Sequence, residues 1–331
     1  MVRPSEERRS FMAASTGPNI RPARLMGAKA GNLLAGRNCW GKVLAVLSTA
    51  VYLLGDDGEI IWIVLEERPL HRRCLLASIQ PRSLRVGQSF FVEKGCLRIG
   101  LEAAIELDRA VLWEALAVEP EQAESLPVVN NSLQRLLVVL PKPSEDAGLG
   151  QTIPLISAVA EGRNPMAFRL DSMLARALSP VLDLARASLG QDMAGVARKG
   201  RQLVGLGPGL TPSGDDFLGG LLFAAHSLKT AYPYDFNWRD EIVRDLIEWA
   251  RTQTHPISHA VLNDLALGHG PEPLHDVIRS LLTGQNLQFL MPAVTRLLGI
   301  GHTSGWDMLA GMLTGMLLVK GRMTPGSLVP E

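Results

Sequence analysis

A ten-residue motif in the second half of the chain occurs twice, as SGDDFLGGLL at residues 213–222 and as SGWDMLAGML at residues 304–313. The offset between the two copies is 91 residues throughout. Each copy follows a glycine-rich approach and continues into an apolar run with further glycines, which is typical of a turn leading into a closely packed helix. The repeat therefore predicts two like elements, each a glycine loop followed by a helix, that face each other around a pseudo-twofold axis.

One interpretation of the repeat is purely structural. Ser-x-x-Asp at the start of a helix is typical of a capping box, in which the hydroxyl and the acid bond free backbone N–H groups. Ser213 with Asp216, and Ser304 with Asp307, have this spacing. An acid there also lies beside the positive end of the helix dipole. On this interpretation the glycines serve close contact between helices.

The other interpretation is a binding site, since the first copy has two adjacent acids, Asp215 and Asp216, where a cap needs one. A glycine-rich turn that runs into a helix N-terminus directs several N–H groups at one point and favours an anion there. The acids would repel a phosphate, so we expect them to hold a substrate amide, a catalytic proton or a cation. The residues that we expect to bind substrate or phosphate are Gly207, Gly209, Thr211, Ser213, Gly214, Asp215, Thr303, Ser304 and Gly305.

The first half of the chain is predicted to be rich in β-strands. Short β-prone runs follow one another from residue 42 to residue 112, and Asp57-Gly58 is typical of a hairpin turn in which glycine supplies the positive φ. Strands at this spacing, with no long helical pattern between them, favour a barrel or a sandwich. We expect an α+β protein with a flexible N-terminal arm (residues 1–18), a β-rich domain (19–145) and a mainly helical domain (146–331) that carries the repeats.

Composition argues against several classes of protein. Lys and Arg total 33 against 33 for Asp and Glu, so the chain lacks the excess positive charge that nucleic-acid binding needs. Three cysteines, none in a C-x-x-C pair, argue against a disulfide framework or a zinc knuckle. We see no signal peptide and no apolar run near the roughly 20 residues that span a bilayer, so we expect a cytoplasmic protein. His255 and His259 have the spacing of a zinc helix, but Pro256 favours a helix start there instead.

The repeat region resembles a known family. The run from Gly207 to Asp216, with residues 205–220, 254–258 and 301–311 around it, is similar to the AllH-like proteins. These are the third subunit type of the bacterial oxamate carbamoyltransferase system, beside FdrA-like (AllF) and AllG subunits. The resemblance implies reversible carbamoyl transfer between carbamoyl phosphate and oxamate, giving oxalurate and phosphate, in purine or allantoin nitrogen catabolism. It implies a heteromeric enzyme with small anionic substrates. The balanced charge and the lack of a long apolar run predict no nucleic-acid or membrane partner.

That reaction suggests roles for the acids of the repeat. An amide nitrogen is a poor nucleophile, so Asp216 or Asp307 is the natural general base, and His302 is expected to donate to the developing oxyanion. Asp215 is expected to hold an NH2 group. We expect no cofactor, with a divalent cation at Asp215 and Asp216 as the alternative. Two other functions stay open: a non-catalytic scaffold or anion-sensing subunit, and a stand-alone enzyme acting on another small anionic amide or acyl phosphate.

Overall fold

A computed structural model describes residues 20–35, 39–65, 68–163 and 172–323. The chain divides into two units, residues 1–114 and 115–331. The predicted arm, residues 1–18, lies outside the described residues. The predicted domain boundary, at residue 145, lies about thirty residues after the boundary between these two units.

The first unit is built on a β-barrel, one of the two architectures that the spacing of the strands predicted. Eight strands follow one another around the barrel in the order β5-β4-β3-β2-β6-β7-β8-β1, and β1 closes the ring by pairing antiparallel with β5. A ninth strand, β9, pairs parallel with β1. The strands are β1 Ile20–Gly27, β2 Trp40–Val46, β3 Ala50–Gly55, β4 Ile60–Val64, β5 Cys74–Ala77, β6 Ser89–Glu93, β7 Cys96–Ile99, β8 Ala103–Glu106 and β9 Val111–Trp113.

Alternating apolar residues fill this barrel, because successive side chains of a strand point to opposite faces. Val51 and Leu53 of β3, and Leu97 and Ile99 of β7, are fully buried. A short helix, α1 (Ala28–Leu34), follows β1. Strand β1 was not predicted from the sequence, since its first three residues are exposed and it contains no apolar alternation at that end.

The second unit is helical, and its described residues form eleven helices. No helix in the described ranges is both long and apolar enough to cross a membrane. The helices are α2 Leu126–Val139, α3 Ile153–Ala160, α4 Ser172–Leu189, α5 Met193–Gly200, α6 Ser213–Ala231, α7 Asp240–Ala250, α8 Pro256–Ala266, α9 Glu272–Leu282, α10 Leu287–Leu298, α11 Ser304–Gly315 and α12 Leu317–Met323.

Helix α2 belongs to the second unit, which is why the boundary between the two units lies before residue 145. Val129, Leu133 and Leu136 recur at helical spacing, are buried, and pack into the same core as the later helices. Leu136 lies in the last turn of α2, which ends at Val139. Pro127 occupies the first turn of this helix, where proline is tolerated.

The two repeats form the central helix pair, α6 and α11. A Cβ atom at Gly220 would lie 2.1 Å from the carbonyl oxygen of Met308, and one at Gly311 would lie 1.8 Å from that of Phe217. Since Gly220 corresponds to Gly311 and Phe217 to Met308 under the 91-residue offset, these contacts are reciprocal, as a pseudo-twofold axis requires. The glycines thus let two backbones meet, which brings the two helix N-termini to one place.

Candidate functional site

The helix starts differ from the capping boxes that the sequence suggested. The N-cap residues are Pro212 for α6 and Thr303 for α11, and neither makes a side-chain cap hydrogen bond. Ser213 and Ser304 are therefore the first residues inside the helices. This shift places Asp216 and Asp307 at the fourth helical position, where a capping acid is not used. The capping-box interpretation is wrong, and the acids need another explanation.

Hydroxyl groups connect the two helix starts directly. The Thr211 Oγ1 atom lies 3.3 Å from Ser304 Oγ, and Ser213 Oγ lies 3.4 Å from Thr303 Oγ1. Each contact joins one copy of the repeat to the other, so the structure brings together the four hydroxyl residues that the sequence assigned to one site. Three of them (all but Ser213) remain partly exposed, which gives the cluster access to solvent.

Asp216 and Asp307, which we call the acid pair, lie beneath these hydroxyls. Asp216 is 3 % exposed and Asp307 is fully buried. The Oδ2 atom of each has no hydrogen-bond partner among the described residues. Buried polar atoms without partners are rare in folded proteins because each costs about 1–3 kcal/mol. The two atoms occupy equivalent positions of the duplicated motif, which makes the acid pair the candidate site.

Burial sets the ionisation of the acid pair. It raises the pKa of Asp216 well above the ordinary value; the Ser304 hydroxyl opposes this effect, and the charge of Asp307 adds to it. Burial also raises the pKa of Asp307, to about 6, against the opposing effects of the Thr303 hydroxyl and the backbone N–H of Leu149. Burial therefore favours the protonated form of both carboxyl groups over the ionised form. A pair that shares one proton would offer both a proton donor and a proton acceptor.

Asp215 has a different environment from its neighbour. Its Oδ1 atom accepts a hydrogen bond from the Gly205 N–H at 2.8 Å, and its Oδ2 atom accepts one from Ser258 at 2.6 Å and another from Thr254. Both oxygens are thus occupied by donors of the protein itself. This geometry favours a positioning role for Asp215, which ties the turn before α6 to the start of α8, over the amide- or cation-holding role expected from the sequence.

We expect Asp215→Ala to destabilise the helical unit by about 3–5 kcal/mol, since it strips three donors of an acceptor that is 1 % exposed. Urea unfolding, with the exposed Asp245→Ala as the control, measures the difference. A free energy of unfolding within 0.5 kcal/mol of the control would be inconsistent with this role.

The predicted glycines divide into two groups. Gly207 and Gly209 have φ of +121° and +94° and form the turn before α6, and Gly209 is exposed. Gly214 and Gly305 serve packing, since a Cβ atom there would lie 2.0 Å from the Leu203 carbonyl oxygen and 1.9 Å from that of Leu297, respectively. His302 is exposed next to Thr303, at the surface end of the hydroxyl cluster.

Sequence reasoning missed one component of the site, the 3-10 turn at Gly148–Thr152. The backbone N–H of Leu149 donates to Asp307 Oδ1 at 2.6 Å, across 158 residues of sequence. The two glycines of Gly148-Leu149-Gly150 are the only trace of this contact in the described part of that turn's sequence. A backbone donor leaves no mark on residue type, which is why composition alone does not reveal it.

The histidines with zinc-helix spacing form no metal site. Pro256 is the first residue of α8, as predicted, and His255 Nδ1 accepts from the Ile257 N–H at 3.1 Å. The His259 Nε2 atom lies 3.1 Å from the Ile247 carbonyl oxygen instead. Within the described ranges, no group of three or more His, Cys, Asp and Glu side chains is placed to hold a metal ion.

Comparison with known proteins bears on the same region. The family model described as oxamate carbamoyltransferase subunit AllH matches residues 203–316. The matched segment begins just before the turn that precedes α6 and ends just after α11, so it contains both copies of the repeat and the acid pair. The match supports the AllH-like assignment. No solved structure matches the chain.

Proposed function

We propose that this AllH-like chain is a subunit of an oxamate carbamoyltransferase in which the acid pair performs proton transfer during reversible carbamoyl transfer between carbamoyl phosphate and oxamate. The observation that carries the proposal is the pair itself. Two buried carboxyl groups, each with an unpartnered oxygen, lie within the segment that matches the family model. The family description names the reaction, and the acid pair supplies chemistry that the reaction needs.

The reaction requires a proton donor and a proton acceptor at once. In the synthetic direction the oxamate nitrogen attacks the carbamoyl carbon and loses a proton, while phosphate leaves with the electrons of the C–O bond. General acid–base catalysis of such a step contributes typically 10²–10⁴-fold to the rate. We propose that the acid pair shares one proton during this step, so that one member accepts while the other donates; burial, which raises the pKa of both carboxyl groups, supports this.

The surface end of the site suits the phosphate and the carboxylate of these substrates. The N-termini of α6 and α11 converge there, and Thr211, Thr303 and Ser304 add hydroxyl donors. Exposed His302 lies beside them and is proposed to donate to the carbamoyl oxygen as negative charge develops. Anion binding at the surface and proton transfer beneath it would place the reacting carbon between the two.

The scaffold alternative explained the repeated motifs as packing and capping devices. The glycines do allow the two helices to pack closely, but neither Asp216 nor Asp307 caps its helix, so the scaffold does not explain the acids. We further propose that the partners are FdrA-like (AllF) and AllG-like subunits, and that the complex acts in purine or allantoin nitrogen catabolism in the cytoplasm.

The assay that tests the proposal is phosphate-dependent formation of carbamoyl phosphate from oxalurate, by this chain alone and then with both partner subunits. We expect activity in the mixture. A mixture that assembles, as judged by co-elution, but forms no carbamoyl phosphate would contradict the proposed reaction.

The pH dependence provides a second test. If ionised Asp307 accepts the proton in the synthetic direction, kcat/KM for carbamoyl phosphate and oxamate should fall about tenfold per pH unit below a pKa of about 6 and level off above it. The measurement is a rate profile from pH 4.5 to 8, with co-elution as the check that the complex stays assembled. A flat profile across pH 6 would show that Asp307 is not the acceptor.

A further inference from the structure

We infer that the 3-10 turn at Gly148–Thr152 is a positioning element that makes Asp307 the proton acceptor and leaves Asp216 as the proton donor, so that the two halves of the duplicated motif have different roles. The inference rests on the proposed function for the reaction. The difference between the two acids, however, is a property of this chain alone and can be measured without any substrate.

The turn fits against Asp307 with little room to spare. Besides the 2.6 Å hydrogen bond from the Leu149 N–H, a Cβ atom at Gly148 would lie 2.5 Å from Asp307 Oδ1 and 2.9 Å from Thr303 Cβ. Gly148 also has a φ of +53°, which favours glycine. At Gly150 a Cβ atom would lie 2.9 Å from the Trp306 side chain. The two glycines therefore let the backbone approach closely enough for Leu149 to donate.

This donor breaks the symmetry of the repeat. The acids are equivalent in sequence, and each has a serine of the other helix beside it, Ser304 for Asp216 and Ser213 for Asp307. In the part of the chain that the structure describes, however, no backbone N–H donates to the Asp216 carboxyl group. A hydrogen bond to a carboxylate favours its ionised form. Asp307 is therefore stabilised as the carboxylate and Asp216 as the neutral acid.

One other charged group near α11 adds to this difference. On α6, the charge of Asp215 raises the pKa of Asp216, which acts in the same direction as the Leu149 donor. Helix α3 has no charged residue. Most charged groups on the other packed elements form ion pairs. Arg296 of α10 pairs with Glu272 and Asp276. Asp183 of α4 pairs with Arg186 and Lys199, and Arg176 of the same helix is exposed. On α12, Arg322 pairs with Asp235 and Lys320 is half-buried.

The roles give a balanced reaction step. Asp307 takes the proton from the oxamate nitrogen as the N–C bond forms, and Asp216 gives its proton to the leaving phosphate oxygen as the C–O bond breaks. The pair holds one proton before and after the step, on opposite members. The product state is therefore the state that the reverse reaction, the phosphorolysis of oxalurate, starts from.

The test uses Gly148→Ala with Gly162→Ala as its matched control. Both glycines have positive φ, +53° and +69°, but a Cβ atom at Gly162 would meet nothing within 4 Å. The readout is the side-chain pKa of Asp307 in the full chain, from ¹³C NMR of labelled aspartate with Asp307→Asn to assign the signal. We expect Gly148→Ala to raise this pKa by about one unit or more, and the control to leave it unchanged. A folded Gly148→Ala protein with an unchanged pKa would overturn the inference.

A second variant keeps the test decisive if Gly148→Ala does not fold. With Asp216 neutral, Asp216→Asn removes no charge and leaves the pKa of Asp307 near 6. If Asp216 were the ionised member, the same variant would lower that pKa by more than one unit, and the assignment of roles would be wrong. These titrations need no activity, so a failure to detect carbamoyl transfer bears on the proposed function and not on this inference.

Discussion

Replacing Asp216 or Asp307 by asparagine is expected to reduce carbamoyl transfer at least about 100-fold while making the protein more stable at pH 8. The loss of activity follows from the loss of a proton donor or acceptor. The gain in stability follows for Asp307 from its pKa, which is about 6 in the folded chain against an ordinary 3.8. Between these values the folded state binds the extra proton, so stability falls as pH rises, by about 3 kcal/mol in total. Asparagine has the same shape and does not ionise, so it avoids this loss.

Thermal melting of the isolated chain at pH 4 and pH 8 measures this effect, beside activity of the complex. We expect Asp307→Asn to raise the melting temperature at pH 8 by several degrees and to change it little at pH 4. Asp216→Asn should stabilise in the same direction, since burial also disfavours its ionised form. Exposed Asp245→Asn on α7 is the control for the substitution itself. Variants that lose stability at pH 8 and keep their activity would show that the acids are structural.

The second large effect is expected at the helix crossing. Gly220→Ala and Gly311→Ala would each place a methyl group about 2 Å from a backbone carbonyl oxygen, which cannot move aside as a flexible side chain can. We expect each variant to lose about 3 kcal/mol or more, or not to fold, because overpacking at a backbone contact forces the helices apart. Since the two contacts are reciprocal, the losses should be similar.

Gly299→Ala provides the matched control for this prediction. Gly299 has a φ of −79° and a Cβ atom there would make ordinary contacts, the nearest at 3.5 Å. Urea unfolding of the three variants compares the free energies directly, and we expect the control to lie within about 0.5 kcal/mol of the wild type. If Gly220→Ala or Gly311→Ala were as stable as Gly299→Ala, the close helix crossing would not exist in solution.

The repeat was the most informative part of the sequence. The 91-residue offset predicted two paired glycine loop–helix elements, and the reciprocal contacts of Gly220 and Gly311 confirm this prediction. The turn signals predicted a barrel or a sandwich, and the closing pair of β1 and β5 makes it a barrel. Local patterns succeed here because glycine and turn residues report directly on backbone geometry.

The parts that could not be predicted depend on contacts over long separations. The capping boxes failed because Pro212 and Thr303, not the serines, precede the first helical residue. Asp215 and Asp216 are neighbours of one residue type, yet one has three donors and the other has an unpartnered oxygen. That difference arises from residues far away in the chain. The donor for Asp307 is a backbone N–H at residue 149, which no residue pattern specifies.

The most direct measurement of the central claim is release of carbamoyl phosphate from oxalurate and phosphate by the assembled complex, with wild-type chain and with Asp216→Asn. The proposed function predicts turnover by the wild-type complex and at least a 100-fold lower rate with the variant, while both chains assemble equally. Equal rates in the two complexes would contradict the claim that this chain's acid pair carries the chemistry.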